Sequence, residues 1–98
     1  MIAIVLPECQ QPYNMKRAVE RILATRGTHQ VEIFLVLDKR NAAALAVANH
    51  LPVIVIDKCP QAPLGELTIL CPDGAELQPG WLDALLKQQK QGLVDLRH

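Results

Sequence analysis

The carboxylates and thiols best suited to hold a ligand in this 98-residue sequence follow short apolar runs. Glu8 and Cys9 come after residues 2–6, and Asp38 after residues 31–37. Asp57 and Cys59 follow residues 53–56, and Cys71 and Asp73 follow residues 67–70. A carboxylate offers hard oxygen to a divalent cation. A thiolate is a soft ligand or a nucleophile. Tyr13, just past the first run, offers a ring on which a base could stack. The same residue types have ordinary uses: Asp and Pro make turns where a strand ends, and Cys is a common small core residue. His29, His50 and His98 form no ligand set by spacing.

These residues matter together only if the apolar runs are parallel strands. Ile2–Leu6 is apolar without alternation, as expected of a strand buried on both faces. Met15, Ala18, Val19, Ile22 and Leu23 recur at helical spacing, with Asn14 as a candidate N-cap and Gly27 as the left-handed residue beyond the end. Residues 31–37 read as a second strand. Asn41 caps an Ala-rich helix from Ala42 to about Asn49, and Val53–Ile56 is a third strand. Residues 60–66 hold two prolines and a glycine and read as a loop. Leu67–Leu70 reads as a fourth strand, with a turn at 72–74. Pro79 suits the first turn of a helix bearing Trp81, Leu82, Leu85 and Leu86, and residues 93–96 suit a last short strand.

Alternating strands and helices predict a single α/β domain over residues 1–98. The class is three-layer and Rossmann-like, with a mostly parallel sheet of four to five strands and about three helices. The link between the third and fourth strands is near the minimum for a parallel crossover, so an antiparallel fourth strand stays open. In such sheets ligands bind outside the carboxyl ends of the strands, which is where Glu8, Cys9, Asp38, Cys71 and Asp73 are expected.

Composition narrows the function classes. Ten Lys and Arg balance ten Asp and Glu, so no overall field favours nucleic acid. No apolar run approaches the roughly 20 residues of a membrane span, and the first residues lack a signal-peptide pattern. Three widely spaced cysteines give no paired zinc motif and point to a reduced, cytoplasmic protein. Residues 7–12, PECQQP, stand where a dinucleotide site needs Gly-x-Gly-x-x-Gly, and neither a Walker loop nor a Gly-x-Ser-x-Gly elbow is present.

Residues 2–24, IAIVLPECQQPYNMKRAVERILA, resemble the opening of inverting family-2 type glycosyltransferases with the nucleotide-diphospho-sugar fold. Residues 31–38, VEIFLVLD, are similar to that family's second strand, which ends in an acidic residue near the nucleotide base. Residues 65–86, GELTILCPDGAELQPGWLDALL, are similar to its next strand, metal-binding turn and Pro-Gly-Trp-Leu helix start. The resemblance implies a donor-binding half, with Glu8, Cys9, Tyr13, Asp38 and Asp73 toward the nucleotide or nucleotide-sugar and Cys71 and Asp73 at the metal turn. The family's Asp-x-Asp here reads Cys71-Pro72-Asp73, and the Tyr-Asn usual directly after the first strand is missing. The segment before Gly65 is short, and the pattern ends before an acceptor half. The implied protein is therefore a degenerate, non-catalytic binding domain acting through a partner or as a homodimer.

Residues 31–57 are also similar to the N-terminal half of folate-dependent formyltransferases, with Asp95 and Arg97 where that family carries its Asn and His. The rival function is a small metal- or redox-active or formyltransferase-like enzyme, using Cys9, Cys59 and Cys71 with Asp73.

Overall fold

The computed structural model describes residues 1–8, 11–72 and 74–97. The elements run β1 (Ile2–Leu6), α1 (Pro12–Thr25), β2 (Val31–Val36), α2 (Ala42–Ala48), β3 (Val53–Ile56), β4 (Leu67–Leu70), α3 (Trp81–Gln88) and β5 (Gly92–Asp95). The strands form one five-stranded sheet in the order β3-β2-β1-β4-β5, and every pairing is parallel. Ile4 sits beside Ile33 on one side and Ile69 on the other. The fourth strand, open to either direction from sequence, is parallel. The fold is thus α/β and Rossmann-like, with three helices among the described residues.

Unbroken apolar composition in β1 follows from its central place. Ile4 and Leu6 point to one face of the sheet and Ala3 and Val5 to the other, and all four are fully buried. The first face carries the larger core. Ile33, Leu35, Leu37, Leu67 and Ile69 join Ile4 and Leu6 there, beneath Met15, Ala18, Val19 and Ile22 of α1, Ala44 and Ala48 of α2, and Leu82 of α3. All three helices therefore lie on the same face.

That placement has a topological consequence. The chain moves from β1 to β2 to β3 in one direction across the sheet, and from β4 to β5 in the other. Helices on one face for opposite directions give crossovers of opposite hand, so β4–α3–β5 differs in hand from β1–α1–β2. Left-handed crossovers form only about 2% of such units. Side-chain ties hold α3 in this position: Trp81 Nε1 donates to Thr25 Oγ1 at 2.9 Å, and His29 Nε2 meets Asp83 Oδ1 at 2.5 Å.

On the second face lies a smaller core of Ala3, Val5, Phe34 and Leu70, against which Val36, Ile56, Cys59 and Leu93 pack. The layer over it is the β3–β4 connection, residues 57–66, which contains no helix. Thr68 is the buried polar residue of the sheet, and its hydroxyl accepts the Leu64 N–H at 2.7 Å, fastening the connection to β4.

Element boundaries correct two expectations. Helix α1 starts at Pro12, with Gln11 in extended conformation as its N-cap, and Asn14 lies inside the first turn. Proline at the first helical position has its φ preset and needs no N–H, so it sets the start ahead of Asn14. Pro79 precedes α3 instead of entering it, because Gly80 takes the cap position at φ +89°, a conformation open to glycine. Gly27, at φ +69°, follows α1 as expected, and Asn41 Oδ1 accepts the Ala44 N–H at 3.1 Å.

Two substitutions measure these contacts by urea denaturation. Leu35→Ala, at a fully buried position, is expected to lower stability by about 2–5 kcal/mol. Thr68→Val keeps the shape but removes the acceptor, and is expected to lower it by about 1 kcal/mol. A Thr68→Val chain as stable as the wild type would show that the connection is not held by that hydroxyl.

Candidate functional site

In open α/β sheets, ligands bind beyond the carboxyl ends of the strands, at the point where the strand order reverses. Here that point lies between β1 and β4, since β1 leads toward β2 and β4 toward β5. The β1 end continues into Pro7 and Glu8, and the β4 end into Cys71 and Pro72. Next to it a cleft of about 300 Å³ opens between α1 and the segment after β4. Asn14, Arg17 and Arg21 line one wall, and Cys71, Pro72 and residues 74–77 the other. The volume is at the lower end for small-ligand sites, which run from about 300 Å³. Arg21 Nη1 donates to Ala75 O at 3.1 Å, so one guanidinium holds the far wall in place. Arg17 lies over the Tyr13 ring, 5.7 Å from its centroid, in cation–π geometry.

Sequence pattern alone puts Arg17 and Arg21, with Lys16 and Glu20, on the outer face of the helix. Their four-residue spacing, one helical turn, was the available signal. It became a site feature only when the 74–77 segment folded across that turn.

The expected site residues divide on inspection. Tyr13 is 70% exposed on α1, with Arg17 over one side of its ring. Glu8 does reach the carboxyl edge, but Arg97 Nη1 donates to its Oε1 at 3.0 Å. Arg97 also donates to Asp95 through Nε and Nη2, both at 2.9 Å, while its backbone N–H reaches Asp95 Oδ1 at 2.9 Å. The Asp95 carboxylate first, and Glu8 second, push the Arg97 pKa up. The ends of β1 and β5 are therefore tied together across β4.

Asp38 is engaged in the same way. The Arg40 backbone N–H donates to its Oδ1 at 2.9 Å, and the Arg40 side chain donates through Nε at 3.2 Å and Nη2 at 2.9 Å. Asp38-Lys39-Arg40 and Asp95-Leu96-Arg97 are two copies of one device, an Asx turn closed by an Arg fork at a strand end. The Asp-x-Arg spacing is visible in the sequence. Its geometry needs a strand that stops just before it.

Cys71 is 1% exposed and belongs to the core beneath the helices, with its Sγ–H directed to Pro72 O at 3.5 Å. Cys59 belongs to the cluster on the other face of the sheet, with its Sγ–H directed to Pro60 O at 3.8 Å. The same carboxyl edge carries both, but on opposite faces. Cys9 and Asp73 lie outside the described residues. Among the described residues no group of three His, Cys, Asp or Glu side chains could hold a metal ion. A buried soft thiol directed to a carbonyl does not fit a hard divalent cation, so no step is derived through a metal.

Among the described residues, no helix is long and apolar enough to cross a membrane. Comparison of the chain with protein-family models, with curated proteins and with solved structures finds no match.

The Arg fork lowers the Asp38 pKa below its ordinary 3.8, chiefly through the Arg40 side-chain hydrogen bonds and next through the backbone N–H. A depressed carboxylate adds stability that is present above 3.8 and is lost as pH falls through the lower folded value. An NMR titration is expected to place the Asp38 midpoint below 3.8. Arg40→Gln should move it upward, and an unchanged midpoint would rule out the fork as the cause.

Proposed function

We propose that this chain is a small binding domain for a nucleotide or nucleotide-sugar, acting by binding or interaction and without catalysis of its own. The observation that carries the reading is the cleft beside the β1/β4 strand reversal, where Asn14, Arg17 and Arg21 face the segment after β4 and Arg17 also lies over the Tyr13 ring. Tyr13 offers its exposed ring to a base. Arg17 offers a guanidinium to a diphosphate, as a fixed planar cation suited to phosphate oxygens. Glu8 and Asp38 are engaged by Arg97 and Arg40.

This division of roles agrees with a glycosyltransferase-like donor half that has lost its metal pair. Cys71 is committed to the core, which leaves Asp73 as the one hard oxygen of the former turn. The phosphate charge is then met by guanidinium groups. The chain's working context is the cytoplasm, with a partner protein or a second copy supplying what a lone binding domain lacks.

Opposite-face placement of Cys59 and Cys71 weighs against the metal or redox reading, which needs its thiols to converge.

A thermal-shift series with uridine and guanosine diphosphates, with and without Mn²⁺ and beside Zn²⁺ alone, tests the proposal. At a tenfold excess over Kd, binding adds about 1.4 kcal/mol. In a domain of this size that raises Tm by about 6 °C or more. Arg17→Gln is expected to weaken binding about tenfold, the loss of one charge-assisted hydrogen bond. Stabilisation by Zn²⁺ and by neither nucleotide would overturn the reading. A Mn²⁺ requirement abolished by Asp73→Ala would instead restore the metal turn.

A further inference from the structure

The two edges of the sheet are treated differently. At the β5 edge, Asp95 and the Arg97 fork bring charge to the strand end, and Gly92 begins the strand. Charges at an edge discourage pairing with another chain. At the β3 edge the flanking Pro52, Asp57 and Lys58 lie outside the strand itself. Val53–Ile56 contains neither charge nor proline, and Ile54 and Val55 are 46% and 38% exposed on opposite faces.

Its backbone is also oriented for pairing. Ile56 C=O accepts the Leu37 N–H at 3.0 Å, so the backbone groups of Ile56 and, by alternation, Ile54 face β2. Those of Val55 face outward, as does the Val53 C=O, while the Val53 N–H turns back to Leu51 O at 2.8 Å. Among the described residues, β3 is the last strand on its side of the sheet.

In a chain that is 20% charged, residues 41–56, the segment that leads through α2 to this edge, contain no Asp, Glu, Lys or Arg. This stretch covers all of α2 and β3, and Ala42, Ala43 and Ala46 of α2 are exposed. Depletion of charge together with exposed apolar strand residues is the composition of an interface core. A formal net charge of zero adds no long-range repulsion between copies.

We propose that β3 pairs antiparallel with β3 of a second copy about a two-fold axis at Val55, joining two sheets into one of ten strands. The register follows from the outward groups. Val55 N–H and C=O exchange hydrogen bonds with their own equivalents, and Asp57 N–H donates to Val53 C=O of the other copy. Ile54 then meets Ile56 on one face and Val55 meets Val55 on the other. Asp57 faces Val53 and Lys58 faces Pro52, so no like charges are opposed. Small side chains on α2 let the two α2 helices approach across the axis. An isologous contact of this kind closes on itself and stops at two copies.

This surface names a partner for the binding domain proposed above, yet its geometry does not depend on the ligand. Sedimentation equilibrium from micromolar to millimolar concentration is expected to give twice the 10.8 kDa of one chain. Val55→Lys should shift the chain to a monomer while keeping the wild-type response to nucleotide, because β3 is two strands from β1. Ala46→Arg, at an exposed helical position that cannot upset the sheet, should weaken the dimer as well. Leu23→Lys, on α1, should leave it intact. A wild-type chain that stays monomeric overturns the proposal and leaves the edge to a foreign strand. A folded Val55→Lys or Ala46→Arg chain that remains fully dimeric overturns it equally.

Discussion

Everything in this fold depends on covering both faces of a parallel sheet. Its central strand, β1, is apolar on both sides, and neither face can be left to water. The described chain has three helices, and they all go to one face. The second face is covered by residues 57–66, a connection without regular structure. It is held by the Thr68 hydroxyl and by packing of Cys59. This explains how so short a link can carry a parallel crossover: the extended segment does the covering that a helix does in larger sheets. It also explains the hand of β4–α3–β5, since α3 joins the helical face and completes its core with Leu82.

The candidate site follows from the same arrangement. Because α1 and the segment after β4 share a face, a cleft forms between them at the point where the strand order reverses. Arg21 spans its walls and Arg17 borders its mouth. The carboxylates at the strand ends meet a different fate. Arg40 pairs with Asp38, and Arg97 bridges Asp95 and Glu8, so all three carboxylates are engaged at the carboxyl edge. Exposed pairs of this kind add little stability, typically about 0–1 kcal/mol. Their effect is positional, fixing the chain as it leaves β2 and joining the ends of β1 and β5.

Much was legible in the residues themselves. Unbroken apolar runs marked β1 and β2, helical spacing marked α1, and Asn41 marked the start of α2. Each depends on interactions within a few positions of the chain: a side chain's direction along a strand or helix, or a hydroxyl or amide reaching the next turn. The Asp-x-Arg spacing at residues 38–40 and 95–97 was also there to be read. So was the expectation that Glu8 and Cys71 would follow the ends of strands.

Tertiary structure alone decided the rest, because the deciding contacts join residues far apart in the chain. Pairing with β1 made β4 parallel, where local pattern allowed either direction. Arg97 engaged Glu8 across 89 positions, turning a candidate ligand into a salt-bridge partner. Cys59 and Cys71 both end strands, yet the alternation of sheet faces and the route of the connection put them in separate cores. By itself the sequence determined which segments are strands and helices and that polar groups follow the strands. Which of those polar groups stay open to a ligand was decided by three-dimensional pairing, since a carboxylate's availability depends on the cation that reaches it.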